Sequence, residues 1–302
     1  MKLGKFVTSL SVVAMSALTL AAAMPVQAAD SSSSSAESSS VTQQKVTAGK
    51  TMKAGTYKLE EKNYSHGYKV KMSMTVDKDG KVTATTYDYV DKDGNSKTKD
   101  ADYEKSMKAK SGVGPAEYIP ELNKSFTTNG SDTEAIAVVS GATESSNDFK
   151  NYAQQLVQAA QAGKTKTIVI NNGKKMKTGT YKLAEQNYSH GYRMTMAITV
   201  NKKGKVTKSN MDYVNKNGKS KTKDAAYEKQ MKAKSGVGPK EYIPDLNKDL
   251  KGKSATTYQN VKVVSGATET SNTFKLYSAQ LVNAAQNGSK GAIKVNNYVY
   301  AE

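Results

Sequence analysis

The chain has 302 residues and a formal charge of +18, from 45 Lys and Arg against 27 Asp and Glu, with no Cys, no Trp and two His. The missing cysteine excludes disulfides, thiolate zinc sites, iron–sulfur clusters, c-type haem attachment and acylated cysteine, and two histidines are too few for a histidine-built metal site. Any redox chemistry therefore falls to an organic cofactor, and for an exported chain the basic balance favours an anionic wall or membrane surface over nucleic acid.

Residues 1–28 read as a signal peptide, with Lys2 and Lys5 before an apolar run at 6–23 and the small-residue pattern Val26, Gln27, Ala28 at its end. An uncleaved anchor is the competing reading, because the run approaches spanning length. Export predicts an extracellular chain, secreted or associated with the cell surface. Residues 29–45, mostly DSSSSSAESSSVTQQK, lack the apolar side chains that would offset ordering entropy and read as a flexible linker.

One unit is then written twice, over 46–172 and 173–302. KNYSHGY at 62–68 returns as QNYSHGY at 186–192, and KAKSGVGPAEYIPELNK at 108–124 returns as KAKSGVGPKEYIPDLNK at 232–248. The copies lie about 124 residues apart, long enough for each to bury its own core.

In each copy GTYKL opens a strand. Val70, Met72, Met74 and Val76 then alternate with polar residues, as do Met194, Met196, Ile198 and Val200. DKDG at 77–80 and NKKG at 201–204 are hairpin turns leading into KVTATTYDYV and KVTKSNMDYV. DKDGN at 91–95 resembles half of a calcium loop but lacks the closing glutamate, so a plain turn is expected. ADYEKSMKAK predicts a helix with Tyr103 and Met107 on one face, stopped by SGVG before Pro115 starts a short helical segment. The clearest helix carries Phe149, Tyr152, Leu156 and Ala160 on one side, and Phe274, Tyr277, Leu281 and Ala285 in the second copy. IVINN or IKVNN closes each copy as a strand. The expected fold is α+β: two tandem homologous domains, each a small antiparallel sheet with segregated helices.

Immediately before the clearest helix stands one phrase, VVSGATESSNDF ending at Phe149 and VVSGATETSNTF ending at Phe274. Gly141 and Gly266 let backbone and ligand approach closely, and Ala142 and Ala267 add little bulk beside the hydroxyls of Ser140, Thr143, Ser265 and Thr268. A threonine hydroxyl can take a phosphoryl group, and the free amides and positive end of the following helix favour a phosphate by about 0.3–1 kcal/mol from the dipole alone. An ordinary cap is the other reading, since Ser145 and Asp148 have capping-box spacing.

With the hairpins and the KSGVGP segment, this phrase resembles the FMN-binding domain shared with the flavin subunits of sodium-pumping and Rnf-type respiratory complexes. The resemblance implies two FMN groups, each in phosphoester linkage to Thr143 or Thr268. A flavin transferase that takes FAD as donor and needs magnesium would install them. It also implies a contact role for Ser140, Gly141, Ala142, Ser265, Gly266 and Ala267. Tyr64, His66, Tyr118, Tyr188, His190 and Tyr242, with Tyr68 and Tyr192 beside them, are candidates for stacking on the flavin, and ordinary packing is their alternative. The tandem form behind a signal peptide is similar to extracellular electron-transfer flavoproteins of Gram-positive bacteria. That likeness implies a quinone-linked membrane donor and acceptors such as ferric iron, with relay rather than transformation of a substrate. Two other classes stay open: a cofactor-free module that binds cell-wall polymer or acts as an adhesin, and an FMN-bearing partner of an extracellular reductase.

Overall fold

A computed structural model describes residues 45–47, 49–297 and 299–301. The expected signal peptide and nearly all of the expected linker lie outside the described residues. Alternation of buried and exposed positions builds the first three strands of a sheet: β2 (Gly55–Glu61), β3 (Lys69–Val76) and β4 (Val82–Val90) follow the short β1 (Lys45–Thr47). These three form an antiparallel meander in which Leu59 faces Met72 and Met72 faces Tyr87. The turn at 77–80 is closed by Gly80 N–H donating to Asp77 O, and the turn at 91–95 by Gly94 N–H donating to Asp91 O.

Three helices follow: α1 (Ala101–Ser111), α2 (Pro115–Asn129) and α3 (Thr143–Ala162), then β5 (Ile168–Ile170). Gly112 adopts the left-handed conformation that ends α1, its N–H donating to Lys108 O. The segment begun by Pro115 is longer than expected and runs through Pro120, because Tyr118, Ile119, Leu122 and Phe126 give it a continuous buried face. Packing there outweighs the lost backbone hydrogen bond. The stripe of Phe149, Tyr152, Leu156 and Ala160 is buried against the sheet, as the spacing predicts.

The sheet is not wholly antiparallel. β5 lies parallel to β2, with Leu59 opposite Ile168, and the order is β4-β3-β2-β5. The long helical crossover returns the chain in the same direction, which only a parallel neighbour accommodates. The second copy repeats the plan with β6 (Gly179–Glu185), β7 (Tyr192–Val200), β8 (Val206–Asn215), α4 (Ala225–Ser235), α5 (Pro239–Leu250), α6 (Thr268–Asn287) and β9 (Ile293–Val295). Each copy has its own buried apolar cluster, so the architecture is α+β in two tandem domains.

The copies are joined by polar contacts. Gln154 and Gln280 hydrogen bond where α3 meets α6, and Gln158 Nε2 donates to Gln280 Oε1 at 3.1 Å. Gln161 Nε2 reaches Asn296 O at 2.9 Å, and Asn287 Nδ2 reaches Val169 O at 2.9 Å. A last strand, β10 (Val299–Ala301), pairs antiparallel with β1, tying the end of one copy to the beginning of the other. Among the described residues no helix is long and apolar enough to cross a membrane.

Candidate functional site

The repeated phrase forms a tight loop onto the first turn of α3. Ala142 N–H donates to Val139 O at 3.0 Å, and Ser146 N–H donates to Ala142 O at 2.9 Å. Ser146 is fully buried and clamps both sides of the loop, accepting from Val139 N–H at 3.0 Å and donating to Ala142 O at 2.9 Å. Ser271 repeats the clamp on Val264 and Ala267. These serines escape a reading of the phrase alone. Their identity in both copies, three residues after each threonine, is the signal that would have found them.

Gly141 has φ +79°, and a Cβ placed on it would stand 2.1 Å from Ser111 O; Gly266, at φ +78°, has the same relation to Ser235 O at 2.2 Å. The KSGVGP segment therefore backs the phrase directly, and only glycine fits between them. Lys108 Nζ, 2.6 Å from Glu117, ties α1 to α2 across that segment.

Ala142 and Ala267 are buried and point the chain inward, while Ser140, Thr143, Ser265 and Thr268 are exposed. Ala142 is the N-cap of α3 and Ala267 that of α6, and neither helix has a side-chain cap. The capping-box arrangement suggested by Ser145 and Asp148 does not form. Ser145 Oγ instead accepts from the Tyr89 hydroxyl at 3.3 Å, with Thr270 and Tyr213 repeating the pairing at 3.4 Å. First-turn amides without a protein acceptor, beside an exposed threonine hydroxyl, make an anion-receptive end.

The aromatic candidates separate by position. Tyr118 and Tyr242 are 1% and 2% exposed, so their rings belong to the cores and offer no open face. Tyr64 is 47% exposed with Lys69 Nζ 5.4 Å from its ring centroid, and Tyr188 is half-buried with the Arg193 guanidinium at 5.2 Å. His66 and His190, at φ +51° and +49°, precede Gly67 and Gly191 in two-residue turns closed by reciprocal Ser65–Tyr68 and Ser189–Tyr192 backbone bonds. Two positive φ values in succession are what such a hairpin turn requires, which explains the histidines conformationally. The hairpin at 62–68 leaves the sheet at the end where Val70 pairs with Tyr89, the strand residue that reaches Ser145. Tyr68 hydrogen bonds to Asp100 at 2.5 Å, and Tyr192 to Asp224 at 2.7 Å.

Beneath that sheet end lies a buried acid in each copy. Glu61 accepts from Val70 N–H at 3.0 Å and from the Tyr152 hydroxyl at 2.6 Å; Glu185 accepts from Met194 N–H at 2.6 Å and from Tyr277 at 2.7 Å. Tyr57, Leu59 and Glu61 alternate along one face of β2, so the inward carboxylate was legible in the strand period. Burial raises Glu61, against the donors, and pushes Glu185 up to about 7. Asp148, on α3, is also raised to about 7 by burial and the neighbouring Glu61 and Glu144 carboxylates; Thr273 replaces it in the second copy.

The raised Glu185 has a signed consequence. Between the usual glutamate value and about 7 the folded chain binds a proton that the unfolded chain has lost, so stability is fully present below about pH 4.5 and is lost as pH rises through about 7. The span corresponds to at most about 3 kcal/mol. Glu185→Gln is expected to flatten that fall in a denaturant series from pH 4.5 to 8. A variant that retains the whole slope would assign the titration to another group.

A protein-family model described as FMN-binding domain matches residues 66–158 and again 190–283. The chain belongs to the FMN-binding domain family. Each match runs from the histidine of the hairpin turn, through the glycine segment and the SGAT loop, into the long helix. Over 116 residues, 38% of this chain and 81% of the relative, the chain is 36% identical to the 15 kDa lipoprotein of Treponema pallidum (strain Nichols). It is also similar to the CPE2226 protein of Clostridium perfringens, whose crystal structure covers 40% of this chain and 98% of its own, with 38% identity and a TM-score of 0.37. The residues present fit the phosphate end of the family's cofactor: an uncapped helix start, a glycine whose missing Cβ leaves the loop flush against Ser111, and an accessible threonine.

Proposed function

We propose that this chain is an exported flavoprotein that holds two FMN groups by phosphoester links at Thr143 and Thr268 and relays electrons from a quinone-linked membrane donor to extracellular acceptors such as ferric iron. The single observation that carries the reading is the duplicated arrangement of an exposed threonine at the first position of a helix without a side-chain cap. Bound FMN supplies reversible one- and two-electron chemistry at a site otherwise without redox groups.

The residues have distinct duties. Gly141 and the Ser146 clamp hold the threonine at the helix start. The first-turn amides would hold the phosphate oxygens. Attachment would join the Thr143 oxygen to the FMN phosphorus of FAD, with cleavage of the pyrophosphate bond, departure of AMP and loss of the hydroxyl proton to solvent. The transferase and its magnesium supply the activation, since no base on this chain contacts the threonine hydroxyl among the described residues. A tethered cofactor stays at high effective concentration outside the cell, where a dissociated one would be lost.

The lipoprotein relative supports a cell-surface location, although this chain has no cysteine to acylate. Attraction to an anionic wall or membrane is supported by an open hollow of about 730 Å³ in the second copy, lined by Lys248, Lys251, Lys253 and Lys262 with Asp245 and Asp249. The same hollow favours the second reading, a cofactor-free module that binds wall polymer.

Intact mass decides between them. Protein made with an active transferase is expected to carry two FMN-minus-water increments, one after Thr143→Ala or Thr268→Ala, and none after both. Equal masses across the four proteins would leave the wall-binding module standing.

A further inference from the structure

We propose that Lys97 in the first copy and Lys221 in the second are positioning residues that favour the reduced form of the cofactor on the neighbouring threonine, each by keeping a dehydrated positive charge one tyrosine ring from the helix start. The inference rests on the flavoprotein reading above.

Lys97 opens the 3-10 turn Lys97–Lys99 after β4 and is only 7% exposed. Its ammonium lies 3.9 Å from the ring centroid of Tyr103, 4.6 Å from that of Tyr89 and 5.1 Å from that of Tyr68. Lys221 repeats the cage at 3.9 Å from Tyr227, 4.8 Å from Tyr213 and 5.1 Å from Tyr192. Neither ammonium forms an ion pair among the described residues. Asp100, the nearby acid on the same loop, already accepts from the Tyr68 hydroxyl at 2.5 Å and the Tyr103 amide at 2.8 Å. Burial lowers Lys221 to about 8, against the opposing pull of the Asp224 and Glu185 carboxylates.

Burying an ammonium without an ion-pair partner is costly, and aromatic faces recover only part of that cost. A chain with 45 basic residues has no need to bury two of them for solubility. The cage has a direction. Tyr89, one of its walls, extends its hydroxyl to Ser145 in the first turn of α3 at 3.3 Å, and Tyr213 extends to Thr270 in the first turn of α6 at 3.4 Å. Each caged charge and each helix start therefore meet across a single ring. Reduction of a flavin adds negative charge, and a fixed positive charge in surroundings of low polarizability favours that form far more than a hydrated surface lysine does.

The test uses the full chain carrying Thr268→Val, so that one site is loaded, made with an active transferase. Fluorescence of the denatured band first confirms attachment; a dark parent protein would sink the flavoprotein reading itself. Spectroelectrochemical titration then compares the parent with Lys97→Met and Lys97→Arg. The expected result is an about tenfold smaller two-electron reduction constant for Met, equivalent to about 30 mV, with Arg within about threefold of the parent. Added salt at about 0.5 M should leave that difference standing, because the cage is closed to counterions. A loaded Lys97→Met protein with the parent's potential overturns the proposal. If that variant does not fold, Tyr103→Leu, which opens the cage to water, takes its place with an expected decrease of about threefold. An unchanged potential there overturns it equally.

Discussion

Gly141→Ala is expected to destabilise the first copy by about 3 kcal/mol or more and to abolish modification of Thr143. Two costs combine. The residue sits at φ +79°, where a side chain costs roughly 1–2 kcal/mol, and its Cβ would stand 2.1 Å from Ser111 O and 3.0 Å from Val113 Cγ1. Ser111 cannot move aside cheaply, since its carbonyl closes α1 just before Gly112, whose N–H is bound to Lys108 O. The SGAT loop must lift instead, and Thr143 moves with it. Gly112→Ala is the matched control: φ is +81° but nothing lies within 4 Å of the added carbon, so it should cost only about 1 kcal/mol and leave the modification intact. Thermal unfolding and in-gel flavin fluorescence read both effects. Equal behaviour of the two variants would mean that the close approach of the KSGVGP segment has no energetic weight.

Phe149→Ala should cost about 3–5 kcal/mol, at the upper end of that range. The ring is fully buried and makes edge-to-face contacts with Tyr87 at 4.8 Å and Phe126 at 5.9 Å between centroids. Phe274 occupies the corresponding place in the second copy, where Met211 and Leu250 replace those aromatic neighbours. Phe274→Ala is therefore expected to cost less by roughly 0.5–1.5 kcal/mol, the usual worth of aromatic pairs beyond area. Because each copy has its own core, Phe149→Ala should also split denaturant unfolding of the full chain into two transitions. A single unshifted transition would contradict the separate cores.

Where local pattern and tertiary environment agree, the chain was readable from its residues. Val70 to Val76 alternate because one face of β3 packs on α3, the DKDG turn carries its glycine at positive φ, and the stripe from Phe149 to Ala160 follows helix period because that side is buried. The parallel placement of β5 was hidden, since three residues carry no period and partner choice depends on the crossover. The segment begun by Pro115 was expected to be short, and only the buried face around Leu122 shows why the helix continues. In the site, the close backbone approach at Gly141 and the exposure of Thr143 were legible in SGAT, whereas Tyr118 and Tyr242 looked like stacking platforms but are core residues. Lys97 and Lys221 were invisible for the opposite reason: a lysine in a basic chain reads as surface, and the tyrosines that enclose it come from separate segments of the chain.

Pairing of β1 with β10 makes the two extremities of the described chain spatial neighbours. Joined there by a short peptide and reopened at the bend where Lys174 N–H meets Asn171 O, the polypeptide would become a circular permutant with its halves in reversed order and both cores intact. The order of the two copies along the polypeptide is thus a matter of covalent threading, open to rearrangement without redesign of either half.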